Sequence, residues 1–108
     1  MTTPLPNTKV RGSTSGVAIM AVFDLLGQKW NMRILWELRQ EALSFRALQE
    51  RCDAMSPSVL NTRIKKLATA KLITSTDNGY QLTELGSSLM LTLDPLRDWA
   101  TEWEQSFS

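Results

Sequence analysis

Ser44-Phe45-Arg46-Ala47-Leu48-Gln49-Glu50-Arg51-Cys52-Asp53-Ala54-Met55-Ser56-Pro57-Ser58-Val59-Leu60-Asn61-Thr62-Arg63-Ile64-Lys65-Lys66-Leu67 is the stretch on which the reading of this chain turns. Arg46 to about Asp53 reads as a short helix, with Leu48 and Cys52 four residues apart on one face. Cys52 is therefore expected as a small buried hydrophobe rather than a reactive thiol. Asp53-Ala54-Met55 reads as a turn. Ser56-Pro57 then opens a second helix, over about 57–70. A serine can cap the first free amides, and the residue before a proline already avoids helical backbone angles. Proline suits the first helical position because its missing N–H would be unbonded there. Met55 and Leu60 stand at the two positions of a hydrophobic staple, which sets the angle at which the chain meets the helix.

On that second helix Leu60, Ile64 and Leu67 form the buried side. At about 100° per residue, Ser58, Thr62, Lys65 and Thr69 lie opposite, with Asn61 and Lys66 flanking. Arg63 sits at the edge of the buried stripe, where its stem can pack while its guanidinium reaches a phosphate. Short polar groups and lysines on one face are what reads or grips a duplex. Asn matches adenine, Ser and Thr bond bases or phosphates, and Lys binds phosphate or guanine. The candidate nucleic-acid contacts are Ser56, Ser58, Asn61, Thr62, Arg63, Lys65 and Lys66. The blander reading is a solvated helix face.

Downstream, Leu72 to Thr76 and Tyr80 to Leu82 read as two strands joined by an Asn78-Gly79 turn, both residues tolerating positive φ. Asp77 at the tip makes this small wing more structural than recognitional. Thr83-Glu84 starts the last helix with a cap and a dipole-favoured acid. Leu89, Leu93, Leu96, Ala100, Trp103 and Phe107 then recur at about a 3.5-residue period. Pro95 falls inside that seam and predicts a kink, or a restart capped by Asp94; the unbroken phase favours the kink.

Upstream, Gly16 to Leu26 is helical, with Ile19, Met20, Phe23 and Leu26 on one stripe and Gly27 as a stop. Val17, Ala18, Val22 and Leu25 widen its apolar surface. Lys29 to Gln40 is expected as the next helix, with Trp30, Ile34, Leu35 and Leu38 inward. Trp36 lies off that stripe, where packing is the default. Ser44-Phe45 is expected as a brief strand. Residues 1–15 read as a flexible tail in which Lys9 and Arg11 can touch a DNA backbone, and 16–108 as one folded domain. A small domain does not easily cover both long apolar faces, so Ile19, Phe23, Leu89, Leu93, Leu96, Trp99 and Trp103 are expected at a homodimer interface. The alternative is that the seam packs wholly on its own domain.

The bulk figures fit one globular domain: 108 residues with 43% hydrophobic content is enough for a single core. Net charge is only +1, but it is unevenly placed. Residues 1–53 carry seven basic and five acidic groups, residues 54–76 four basic and no acidic ones, and residues 77–108 one basic and six acidic. A basic segment followed by an acidic one is the asymmetry an electrostatic footprint needs. With no histidine and one cysteine, metal sites and general-base catalysis lose their usual residues. No catalytic set, metal or cofactor is expected. No apolar run is long enough for a membrane span, there is no secretory leader pattern, and a lone cysteine fits a reducing cytosol.

The expected architecture is thus mainly α with a small β-hairpin wing: a winged helix-turn-helix that dimerises through its N- and C-terminal helices. The order Leu26-Gly27-Gln28-Lys29-Trp30, Ile34-Leu35, Glu37-Leu38, Phe45-Arg46-Ala47-Leu48, Met55-Ser56-Pro57-Ser58-Val59-Leu60, Arg63, Leu67, Tyr80-Gln81-Leu82-Thr83-Glu84-Leu85-Gly86 and Trp99 resembles the HxlR-type winged helix-turn-helix family of bacterial transcriptional regulators. The resemblance covers roughly Val17 to Trp103. It implies a dimer that sets one recognition helix per half-site in adjacent major grooves of a palindromic operator, with dimerisation through the first and last helices. Many members carry a thiol just before the first helix; this chain reads Ser15-Gly16-Val17-Ala18 there. Ala54 and Lys71 stand where the family often has glycine, so Lys71 is expected in a left-handed conformation, at about 1 kcal/mol or less relative to glycine. Two further readings stay open: a ligand-responsive regulator whose pocket lies between Trp30, Trp36 and the last helix, its effector unidentified, and a winged helix used only for protein contacts.

Overall fold

The computed structural model describes residues 17–108; the predicted tail lies outside them. The chain runs α1 (Val17–Gly27), α2 (Asn31–Glu37), α3 (Phe45–Arg51), α4 (Pro57–Thr69), β1 (Ile73–Thr76), β2 (Gly79–Leu82), α5 (Glu84–Leu93) and α6 (Pro95–Gln105). One core joins them, built on Ile34, Leu35, Leu48, Cys52, Leu60, Leu67 and Ile73. Every element except α6 reaches this core or packs on it.

α2 is shorter than its apolar spacing implied. Trp30 is left-handed, with φ 78°, so no helix runs through it. The local fold is held instead by Asn31, fully buried, whose Nδ2 donates to the Leu25 carbonyl at 2.9 Å. That bond ties the end of α1 to the start of α2. At the other end Arg39 Nη1 donates to the Trp36 carbonyl at 2.8 Å, satisfying one of the acceptors a helix end leaves open.

β1 and β2 pair antiparallel from Ile73–Leu82 to Thr76–Gly79. The turn is therefore Asp77-Asn78 and not the expected Asn78-Gly79. Neither turn residue has positive φ; Gly79 does, at 113°. The reason lies across the sheet. Leu43 N donates to the Tyr80 carbonyl at 2.9 Å and Tyr80 N to the Leu43 carbonyl at 2.8 Å. A Cβ on Gly79 would come within 2.5 Å of the Leu43 carbonyl oxygen. The glycine makes room for this third strand position. The brief strand expected at Ser44-Phe45 is thus a single bridge one residue earlier, because Ser44 is already capping α3 through Ala47 N at 3.1 Å.

The wing is closed at its neck. Lys71 is left-handed as expected, with φ 68°, and its carbonyl accepts from Thr83 Oγ1 at 2.6 Å. Thr83 also caps α5, accepting from Gly86 N at 3.0 Å, and its own N–H donates to the Leu72 carbonyl at 3.0 Å. Gly86 is buried against that same carbonyl, where any Cβ would collide.

The last helix is divided at Asp94, with Pro95 the first residue of α6. Asp94 keeps helical angles, φ −55° and ψ −42°, and its side chain makes no capping bond. Arg97 N reaches the Asp94 carbonyl at 3.0 Å, a tighter i→i−3 bond. The proline thus interrupts the hydrogen-bond ladder without turning the backbone out of the helical region.

Candidate nucleic-acid interface

The helix α4 is aimed by what precedes it. α3 ends in a turn whose Asp53 and Ala54 both have positive φ, 61° and 54°. This strained turn is held from several sides. Gln49 Nε2 donates to the Met55 carbonyl at 2.9 Å, and Ala54 N to the Gln49 carbonyl at 3.0 Å. Arg33 on α2 donates to Glu37 at 2.8 Å, to the Arg51 carbonyl at 2.6 Å and to Asp53 at 3.2 Å. The hydrogen bonds to Glu37 and Asp53 push the Arg33 guanidinium pKa further up. Met55 and Leu60 both enter the core, 6% and 0% exposed, as the staple requires. Ser56 Oγ accepts from Val59 N at 3.5 Å and Pro57 is the first helical residue.

Leu60, Ile64 and Leu67 are buried, which fixes the rotation of α4 about its axis. Ser58, Asn61, Thr62, Lys65 and Thr69 are exposed on the outward side, with Ser56 at its N-terminal end and Lys66 half-buried on the flank. Arg63 stands apart from them. Its Nη1 donates to Gln28 Oε1 at 3.0 Å, and its Nε is buried without a hydrogen-bond partner among the described residues. It fastens α4 to the α1–α2 connection. Several hydroxyls are likewise engaged: Thr62 Oγ1 donates to the Ser58 carbonyl at 3.0 Å, and the Ser56 and Ser58 hydroxyls share a hydrogen bond at 3.0 Å.

Cys52 lies under this unit, fully buried. Burial pushes its thiol pKa up, partly opposed by the Arg33 charge, so the thiol stays protonated.

At the far end, α6 presents an aromatic ladder. Trp99 and Trp103 stack with centroids 6.0 Å apart, and Phe107 meets Trp103 edge-on at 5.7 Å. Leu96, Trp99 and Trp103 are each at least half exposed, as is Phe23 on α1, with Ile19 close to that. Leu89 and Leu93 differ from them, being half-buried against the core. An open groove on α6 is lined by Ala100, Trp103, Glu104 and Phe107. Trp36 is engaged elsewhere: the Arg39 guanidinium lies 3.6 Å from its ring centroid and that of Arg97 5.3 Å, so it joins α2 to α6 by cation–π contact.

Residues 25–107 match the HxlR-like helix-turn-helix family. The chain belongs to that family. It is therefore a winged-helix transcriptional regulator by membership. An uncharacterised HTH-type transcriptional regulator of Methanocaldococcus jannaschii is 24% identical over 91 residues, 81% of this chain and 86% of the relative. The quinone-bound structure of YodB from B. subtilis superposes with a TM-score of 0.73 at 27% identity, covering 78% of this chain and 96% of YodB. A structure from Enterococcus faecalis V583 assigned to the MarR family of transcriptional regulators gives 0.74 at 21% identity, covering 92% and 96%, a likeness of fold. Among the described residues, no helix of this family member is long and apolar enough to cross a membrane.

Residue types alone did not reveal Arg33, Gln28 and Asn31, which position the site without belonging to it. Arg33 had a readable signal in its i,i+4 spacing to Glu37. Gln28 and Asn31 act through partners on other elements and carried none.

Proposed function

We propose that this regulator is a homodimer that binds DNA sequence-specifically, setting one copy of α4 into the major groove at each half-site of a palindromic operator. The observation that carries this reading is α4 itself: a capped helix, fixed in rotation by three buried residues, whose outward face is polar and free of acids. The dimer contact is assigned to α1 and α6, through Ile19, Phe23, Leu96, Trp99 and Trp103, with Leu89 and Leu93 half-buried on α5. A two-fold dimer of this kind spaces its two reading helices about one turn of duplex, roughly 34–36 Å, apart.

The test is a salt series of gel shifts on the DNA upstream of the chain's own coding sequence. Affinity falls steeply with salt, and changing Lys65 and Lys66 together to Ala weakens binding and flattens the slope by about two, since each neutralised phosphate contributes roughly 0.9. Sedimentation of the double variant still shows a dimer. Unchanged affinity in that variant would remove α4 as the reading helix.

A further inference from the structure

We infer that Val59 reads the methyl group of a thymine in each operator half-site. The inference rests on the placement of α4 in the major groove proposed above and adds a base that this helix selects. Val59 is the third residue of α4 and is 37% exposed, whereas its neighbour Leu60 is 0% exposed. Among the described residues it is the large apolar side chain that α4 leaves in solvent.

Its surroundings make it the available contact at that end of the helix. The Ser56 hydroxyl accepts from Val59 N and is hydrogen-bonded to the Ser58 hydroxyl. Thr62, one helical turn on and a surface neighbour of Val59, donates its hydroxyl proton to the Ser58 carbonyl. Arg63, also a neighbour of Val59, is tied to Gln28. The first turns of α4 therefore spend much of their hydrogen-bonding capacity internally and offer the Val59 methyls, with the Thr62 methyl beside them. The N-terminal residues of a recognition helix are the ones that meet base edges. In the major groove only thymine shows a methyl group, so an apolar side chain there selects thymine.

The experiment uses the full chain and a DNA operator selected by it from a random pool. Each thymine is replaced singly by deoxyuridine, which lacks the methyl and keeps the same hydrogen-bonding edge. At one thymine per half-site the unmodified protein loses roughly three- to fivefold in affinity, the fold-change that burial of one methyl-sized group supplies. Val59→Ala, which removes the contact from both half-sites, loses about the square of that factor on the thymine operator, and a deoxyuridine at that position then costs it nothing further. Val59→Thr, which keeps the side chain's shape, serves as the second variant and is checked for folding by its thermal melt. Indifference of the unmodified protein to every deoxyuridine, or an undiminished deoxyuridine effect in Val59→Ala, overturns the assignment of Val59 while leaving α4 as the reader; Val59→Thr, with one methyl left, keeps part of the effect. Failure to bind any DNA at low salt overturns the DNA-reading role itself, and this inference with it.

Discussion

Two amphipathic helices of similar length treat their apolar faces in opposite ways. α4, with 13 residues, buries Leu60, Ile64 and Leu67 inside its own domain. α6, with 11, has no buried residue among those described, although Leu96, Trp99 and Trp103 line it. One chain thus fixes the direction of α4 completely and leaves the covering of α6 unfinished. A patch of stacked aromatics in water is costly to a soluble domain, and such patches mark contact surfaces. The polar face is the outward one on α4 because its apolar face is spent; on α6 both faces are outward.

The comparison breaks most visibly at Leu60. Leu60→Ala removes a fully buried anchor and costs about 2–5 kcal/mol through lost transfer energy and the cavity left behind. Denaturant melts of the variant show it directly, together with a loss of DNA affinity as α4 loosens. On the dimer proposed above, the matching change on the other helix, Trp103→Ala, is expected to act on association instead. Truncating an aromatic anchor at a contact costs about 2 kcal/mol or more of binding, so sedimentation equilibrium shows self-association weakened at least about 30-fold. The melt of the isolated monomer moves little, because the side chain it loses is already in solvent. A Trp103→Ala protein that unfolds like Leu60→Ala would erase the distinction between the two helices.

The smallest effect sharpens the α4 side through Cys52. Its folded pKa is raised, so the native thiol keeps its proton at a pH where the unfolded chain would lose it. The associated stability is complete below the ordinary thiol value of about 8.5 and is lost as pH rises above it toward the folded value. Alkylation by iodoacetamide follows the unfolded population rather than the native one. A rate at pH 7 equal to that of a free thiol would place Cys52 outside the core.

Much of α4 was legible because its signals are local. Ser56-Pro57 states where the helix begins, and the spacing of Leu60, Ile64 and Leu67 states which face is hidden. Lys71 was assigned a left-handed backbone on different ground, because it stands where the resembled family often has glycine, and its φ of 68° agrees. What sequence spacing did not show depends on distant partners. Trp30 looked like the first inward residue of α2, yet the Asn31 bond to Leu25 makes it a left-handed connection. Asn78-Gly79 looked like a hairpin turn, yet Gly79 is claimed by the approach of Leu43. Arg63 looked like a phosphate contact at the edge of the face and is held by Gln28, 35 residues away. Val59 was given no role by the spacing, which marks only Leu60, Ile64 and Leu67 as buried, and its partial exposure shows in the fold.

The hairpin between Lys71 and Thr83 is fastened at its neck, where Thr83 bonds the Lys71 and Leu72 carbonyls and Gly86 seals the joint, and again at Tyr80 by the bridge to Leu43, which leaves only the tip at Asp77-Asn78 outside the fastenings. A segment pinned at both ends in this way is an insert. Doubling the length of such a loop adds only about 0.6 kcal/mol of closure entropy. Tip length and tip charge are therefore traits that descendants of this chain can vary almost independently, trading a short acidic wing for a longer basic one while the aim of α4 stays as it is.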